Sequence, residues 1–350
     1  MADEAFAVAI AAAIQTARGT ENIPANWTSG TFDETDGAIL GDRESGDAES
    51  GITLPTFARR ARAVADVAGS FTKQPDSFEE NEVQSLTLTF QAKGNGATVT
   101  PSAGETQPDA GIDAIVEGAG LIGANGTSPV VNYTPRHNAS SGGAKAYLTI
   151  GLWIGSTRWY LKDCIVQRLR LTMPAGEAPL FVAEIVVGSI FSKTASVTFP
   201  TVTYGNQATL SAPVVTSAPM TYGTAKGFGT MDLIVENDIE RTPDSNEASG
   251  IRLGVGGRTI RIEGTLFLDA ANPDFEYDEL ERASGARSHA TIQLGAVAGA
   301  ADTANGIRIE AKDVQPTSLK HNEADNAVIV DLAGFATGAA VGDEFELRWN

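Results

Sequence analysis

Three short segments of this chain occur twice, in the same order, and that repetition limits the fold more than any composition does. Thr87-Leu88-Thr89-Phe90-Gln91-Ala92 pairs with Thr265-Leu266-Phe267-Leu268-Asp269-Ala270. Leu148-Thr149-Ile150-Gly151-Leu152 pairs with Ala290-Thr291-Ile292-Gln293-Leu294, and Lys162-Asp163-Cys164 with Lys312-Asp313-Val314. Each set then reaches an apolar run that closes on glycine, Val182 to Gly188 in one case and Val328 to Gly334 in the other. Each match is weak alone. Their shared order points to two tandem copies of one unit.

The segments between the matches repeat in kind. Asp109 opens a stretch in which Ile112, Ile115, Val116 and Ala119 share one helical face, and Asp274 opens Phe275 to Ala283. Asp109 and Asp274 suit helix N-caps, and Gly120 and Gly285 suit helix stops. Upstream lie the strand candidates Ala61 to Thr72 and Thr230 to Ile239, followed by the acidic loop Asp76 to Glu82 and by Glu240 to Gly250. Each unit therefore reads strand, long loop, strand, helix, strand, strand, strand. The boundaries follow: an N-terminal arm and acidic loop over 1–50, a first unit over 51–195, a linker over 196–219 and a second unit over 220–350. The stretch 93–143 is a long insertion in the first unit, rich in Gly, Ser, Pro and Asn, of the kind that forms functional surface or stays disordered. Within the linker, Val197, Phe199 and Val202 alternate in the manner of an edge strand.

Charge and cysteine usage exclude several classes. A net charge of −19 over 350 residues repels nucleic-acid phosphates and anionic membranes, so duplex binding is not the primary function expected. The single cysteine, Cys164, rules out an internal disulfide framework and a Cys-ligated zinc site, and its apolar neighbours predict a buried core thiol. The N-terminus begins Met1-Ala2-Asp3-Glu4, without the basic region of a secretory signal, so Ala5 to Ile14 reads as an amphipathic docking helix or a flexible arm. No segment is long and apolar enough for a membrane span, and no membrane insertion is expected.

Motifs for chemistry are missing. His137, His289 and His321 lie far apart, and no GxSxG, HExxH or GxxxxGK[ST] pattern accompanies them. The acidic run from Asp33 to Glu49 lacks the alternating oxygens and central glycine of an EF-hand loop. No catalytic residue, cofactor or metal is expected, and the chain reads as a non-enzyme. Arg59, Arg60 and Arg62 form a basic cluster that suits an inter-subunit contact, or equally a charged strand edge that resists aggregation.

An acidic, cysteine-poor chain of strands with one short helix per unit resembles the tail tube proteins of siphoviruses, the long-tailed bacteriophages. The second half carries the resemblance best, through Arg258 to Leu268, the helix pattern from Asp274 to Ala283, Ile307 to Val314 and the strand ending at Asp331-Leu332. The likeness covers most of 220–350 and, more loosely, 50–195. It implies a mainly β fold of two tandem tail-tube-like units, each a β-sandwich or half-barrel with one short α-helix. It also implies that units join edge to edge into a ring around a continuous inner barrel. Rings then stack through loops and arms into the hollow tube of a virion tail, assembled in the host cytoplasm. A duplicated chain resembles those members that form homotrimeric rings with pseudo-sixfold symmetry. Tape measure protein, tail terminator and distal tail or baseplate proteins are the partners implied, with genomic DNA in non-specific passage.

Geometry fits that expectation. Six units of four inner strands give about 24 strands, which at about 4.8 Å spacing and about 40° tilt close into a backbone ring roughly 48 Å across. Side chains leave a bore of roughly 38 Å, wide enough for duplex DNA, whereas eight strands alone make a filled barrel. An acidic lumen would let phosphates slide without sticking, and Asp269, Glu310 and Asp331 on the repeated strands are its candidates. A second class remains open: a virion-surface or extracellular β-rich binding module, such as a decoration protein or adhesin, with recognition on the 93–143 insertion. A third, a β-sandwich hydrolase with paired carboxylates, lacks a motif.

Overall fold

The computed structural model describes residues 8–41, 52–53, 59–64, 76–81, 84–93, 110–125, 131–135, 147–205, 207, 220–222, 224–244, 251–267, 288–294, 307–324, 327–336 and 344–349. The fold is mainly β. The first strand, β1 (Val8–Ile14), is followed by the short helix α1 (Ala25–Ser29), β2 (Thr31–Asp33) and β3 (Ala38–Ile39). Then come β4 (Ile52–Thr53), β5 (Arg59–Val64), β6 (Asp76–Asn81) and β7 (Gln84–Gln91). Helix α2 (Ala110–Gly118) precedes β8 (Leu121–Asn125), β9 (Val131–Pro135) and β10 (Leu148–Ile154). The long β11 (Thr157–Pro174) leads to β12 (Leu180–Val187), β13 (Ser189–Thr194) and β14 (Thr201–Thr203).

The remaining strands are β15 (Met220–Tyr222), β16 (Thr224–Pro243), β17 (Ile251–Phe267), β18 (Ser288–Leu294), β19 (Ile307–Ala324), β20 (Ala327–Ala336) and β21 (Phe345–Trp349). The helix pattern from Asp274 to Ala283, its stop Gly285, and Asp269 lie outside the described residues.

Eight strands form one continuous antiparallel ribbon in the order β4-β7-β12-β11-β16-β17-β20-β19. Alternation sends one set of side chains inward along each strand. Leu86, Leu88 and Phe90 of β7, Phe181, Ala183 and Ile185 of β12, and Leu233 and Val235 of β16 are all buried in one core. The opposite face carries Glu184, Arg168, Asp232, Arg261 and Glu263.

β11 and β19 each serve two layers. The N-terminal part of β11 pairs with β10 and β13, and its C-terminal part enters the ribbon between β12 and β16. β19 likewise pairs first with β18 and β21 and then, past a bend, with β20. The bends match in detail. Asp163 and Asp313 have left-handed φ values of 53° and 50°, conformations that a short polar side chain tolerates better than most. A register shift lies between Leu148 and Ile150 opposite β11, and its counterpart between Ser288 and Ala290 opposite β19. A second shift falls between Val166 and Arg168 and again between Pro316 and Ser318. Bulges of this kind re-aim a strand between layers.

These registers correct the sequence matches. Lys162-Asp163-Cys164 and Lys312-Asp313-Val314 stand at corresponding positions. Leu148, however, corresponds to Ser288 and not to Ala290, because Leu148 faces Cys164 and Ser288 faces Val314. Val182 corresponds to Asp331, since Thr89 faces Val182 and Thr265 faces Asp331 across matching strands. Thr265 likewise stands at the position of Thr89 and not of Thr87. Alternating residues look alike at every second position, which accounts for the two-residue slips at Leu148 and Thr87, though not for the three-residue one at Val182.

The amino-terminal segment is a second correction. Val8–Ile14 is neither helix nor arm: it pairs along its whole length with Leu148–Ile154, and Ala9 to Ala12 are buried. The segment is apolar throughout, with no polar stripe to favour an exposed helix. The expected acidic loop at Asp76 to Glu82 is also a strand over Asp76–Asn81, paired with β5. Part of the expected linker belongs to the first half. Thr201–Thr203 pairs in parallel with β2, and Val197, Phe199 and Val202 pack against the cluster of Trp27, Phe32, Trp153 and Tyr160.

Helix α2 falls where the apolar periodicity places it and ends at Gly120, whose φ is 86°. It is buried on every side rather than along one face, so Gly111 to Gly118 include a buried Asp113 and a nearly buried Glu117. The Tyr133 hydroxyl donates to Asp113 Oδ1 at 2.6 Å. Burial first, then the neighbouring Asp113 carboxylate, raises the Tyr133 pKa. β9 pairs in turn with β21, and Trp349 stacks on Phe181 at 5.0 Å while its indole N–H donates to the Lys93 carbonyl at 2.6 Å. The 93–143 insertion thus contributes a core helix and a hairpin to the sheet.

Candidate assembly site at the strand seam

The two halves meet along one seam, where Arg168 to Pro174 of β11 pairs antiparallel with Glu236 to Thr230 of β16. Inward positions are apolar: Leu169, Leu171 and Met173 oppose Val235, Leu233 and Met231, all buried. Each such side chain stabilises the closed seam by about 1.5–3 kcal/mol relative to exposure. Because the strands continue one another's sheet, backbone pairing and apolar burial both run across the junction.

The outward face of the seam is laced with ion pairs. Arg170 meets Asp232 at 2.5 Å, Arg168 meets Glu184 at 3.6 Å, and Arg261 meets Glu236 at 3.5 Å and Glu263 at 3.1 Å. Most of these groups are substantially exposed, and each pair contributes no more than about 1 kcal/mol. Arg170–Asp232 is the pair that spans β11 and β16, and it favours the register, because a one-residue slip at the seam would reverse one strand's faces and separate it. Among the described residues of this face, four acids (Glu184, Asp232, Glu236, Glu263) stand with three arginines (Arg168, Arg170, Arg261). Phe267 and Phe335 are exposed on the same face.

Two residues of the second half clamp the end of helix α2 in the first. Asn237 is 2% exposed, and its amide donates to the Ala119 carbonyl at 3.0 Å and to the Val166 carbonyl at the bulge at 2.8 Å. Arg258 donates to the Gly120 carbonyl at 2.6 Å and lies 3.7 Å from Glu344. These carbonyls belong to a helix C-terminus and a bulge, where the regular ladder supplies no donor. The sequence offered one sign of this seam, in the alternation Arg168-Leu169-Arg170-Leu171 against the acids Asp232 and Glu236. Asn237 and Arg258 carried none, because their partners are backbone carbonyls distant in sequence.

The residues expected to be functional are scattered. Glu310 is 8% exposed, and lies within 2.5 Å of Arg308 and 3.7 Å of Arg348. It belongs to the part of β19 that pairs with β18 and β21, before the bend into the ribbon. Asp331 sits in the ribbon, opposite Thr265 on one side and Lys320 on the other. Arg59, Arg60 and Arg62 lie on β5, opposite Asn81, Glu80 and Phe78 of β6. Cys164 is fully buried, and burial pushes its thiol pKa well up. Among the described residues, no group of three or more His, Cys, Asp or Glu side chains is arranged to hold a metal ion. No helix among them is long and apolar enough to cross a membrane. No protein-family model and no curated protein sequence matches the chain.

Proposed function

We propose that the chain is a non-enzymatic structural subunit that polymerises into the tail tube of a long-tailed bacteriophage. The observation that carries this is the eight-stranded ribbon, whose outermost segments in β4 and β19 have an edge that no other described strand pairs. Among the described residues, no strand pairs with the outer edge of β4, or with that of Ser318 to Ala324 in β19. A sheet left open at both ends gains backbone pairing by adding further copies. The recurring bends at Asp163 and Asp313, with their paired bulges, support reading the chain as two copies of one four-stranded unit. Three chains then supply six units and the ring of about 24 strands that geometry requires for a DNA-wide bore.

In this reading the subunit works in the virion tail, contacts tape measure, terminator and distal tail or baseplate proteins, and lets DNA pass without specific binding. The ribbon face that bears the ion pairs supports a charge-compensated lumen with Asp331 among its acids; buried, paired Glu310 is set apart from it. Negative-stain electron microscopy of the concentrated protein, alone and seeded with tail tips, tests the proposal. Hollow tubes or stacked three-chain rings are the expected result. Monomers that refuse to join seeded tubes and bind a glycan would replace it with a virion-surface binding module.

A further inference from the structure

The seam inside the chain specifies, residue by residue, how a second copy would pair. β11 and β19 correspond through their bends, so Thr172 and Met173 correspond to Asn322 and Glu323. The hairpin partners correspond as well. β4 lies on β7 with Ile52 opposite Leu88 and Thr53 opposite Thr87, as β16 lies on β17 with Met231 opposite Gly264 and Asp232 opposite Glu263. Thr89 and Thr265 face the corresponding residues Val182 and Asp331, which makes Leu88 the counterpart of Gly264, and Ile52 that of Met231. Within the chain, Thr172 faces Asp232 and Met173 faces Met231.

We infer that a second copy of this chain adds its β4 antiparallel to the outer edge of β19, with Asn322 opposite Thr53 and Glu323 opposite Ile52. The assignment rests on the tube-subunit reading and deepens it to a register. The two edges are different surfaces, so the contact is head-to-tail, and repetition gives a closed ring or a helical filament rather than a twofold dimer.

The new seam differs chemically from the internal one. Arg170 and Asp232 pair within the chain, whereas their counterparts are Lys320 and Thr53, which form no ion pair. Met173 faces Met231 within the chain, whereas their counterparts are Glu323 and Ile52, so an apolar pair is lost as well. The seam between copies is therefore the weaker of the two. It opens and closes while the internal one stays shut, which keeps subunits exchangeable until assembly is nucleated.

Paired cysteines on the full-length chain test the register. Asn322→Cys with Thr53→Cys is expected to yield covalent oligomers on mild oxidation, since buried Cys164 does not compete. Asn322→Cys with Ile52→Cys places the thiols on opposite faces and should give at least about tenfold less product. Equal yields from both pairs, or efficient linkage by Asn322→Cys alone, would overturn the inference. Hydrogen exchange of the unmodified protein gives a second readout. Assembly should protect amides 318–324 and 52–53, and protection confined to other strands would overturn it too. Thr53→Asp offers Lys320 an anionic partner and should lower the critical concentration for assembly about two- to fivefold. An unchanged or higher value would count against the register. Tubes without linkage or protection would sink the seam and leave the tube; linked copies that never form hollow particles would do the reverse.

Discussion

Replacing Asn237 by alanine isolates the clamp between the halves. Its amide is the donor for the Ala119 and Val166 carbonyls, both at places where backbone geometry leaves a buried acceptor. Losing a donor to a buried group costs about 1–3 kcal/mol, so two losses remove about 2–6 kcal/mol. A partial offset comes from Asn237 Oδ1, which is buried and has no hydrogen-bond partner among the described residues. Deleting it recovers about 1–2 kcal/mol and leaves a net loss of about 1–4 kcal/mol. With an unfolding entropy of about 2.1 cal/mol/K per residue, that loss lowers Tm by about 1–5 °C. Scanning calorimetry measures the shift, and hydrogen exchange should report faster opening at the last turn of α2 and at the 166–168 bulge. Asn237→Asp keeps the size and removes the donors, so it should be at least as damaging as alanine. A Tm equal to or above that of the unmodified protein, or an aspartate variant more stable than the alanine one, would refute the clamp.

Gly264 sits in the ribbon, where an added Cβ would strike the Thr230 carbonyl oxygen and crowd the Met231 sulfur. Gly264→Val should therefore destabilise by about 1–3 kcal/mol in urea titration, as overpacked sites do. At the first bend, Asp163→Gly should be about 1 kcal/mol more stable than Asp163→Ala, because alanine pays for the left-handed φ and glycine does not. Both lose the bond that Asp163 Oδ1 accepts from the Gly19 amide at 2.7 Å, so the difference reports the backbone alone. Cys164 should resist alkylation in the folded chain at pH 8 and react on addition of denaturant, since burial disfavours its thiolate. Rapid labelling without unfolding would show that the thiol is reachable.

Many of the strands were legible in the sequence because alternation leaves a direct trace; the recurring Lys-Asp pair was legible as a repeat, but not as a pair of bends, since a left-handed φ leaves no periodic signal. Helix α2 was legible from Ile112, Ile115 and Val116, but its full burial was not, because what encloses it comes from β1, β8 and β11. β1 was misread because Ala9 to Ala13 has no polar alternation: a strand covered on both faces reads as an unbroken apolar run. The registers at Leu148 and Thr87 escaped because period-two patterns survive a shift of two. Those of the seam depend on pairs such as Arg168 and Glu236, whose meeting is a tertiary fact.

The pairing of β9 with β21 carries a consequence for synthesis. Tyr133 opposite Leu347, and the Trp349 indole on the Lys93 carbonyl, join segments that leave the ribosome far apart in time. The hairpin of β8 and β9 must wait with one edge bare while the second half is translated, exposed to pairing with a neighbouring nascent chain. Loss of residues 345–349 would leave that edge bare for good, so a lesion of a few residues there would be felt as aggregation of the half made first.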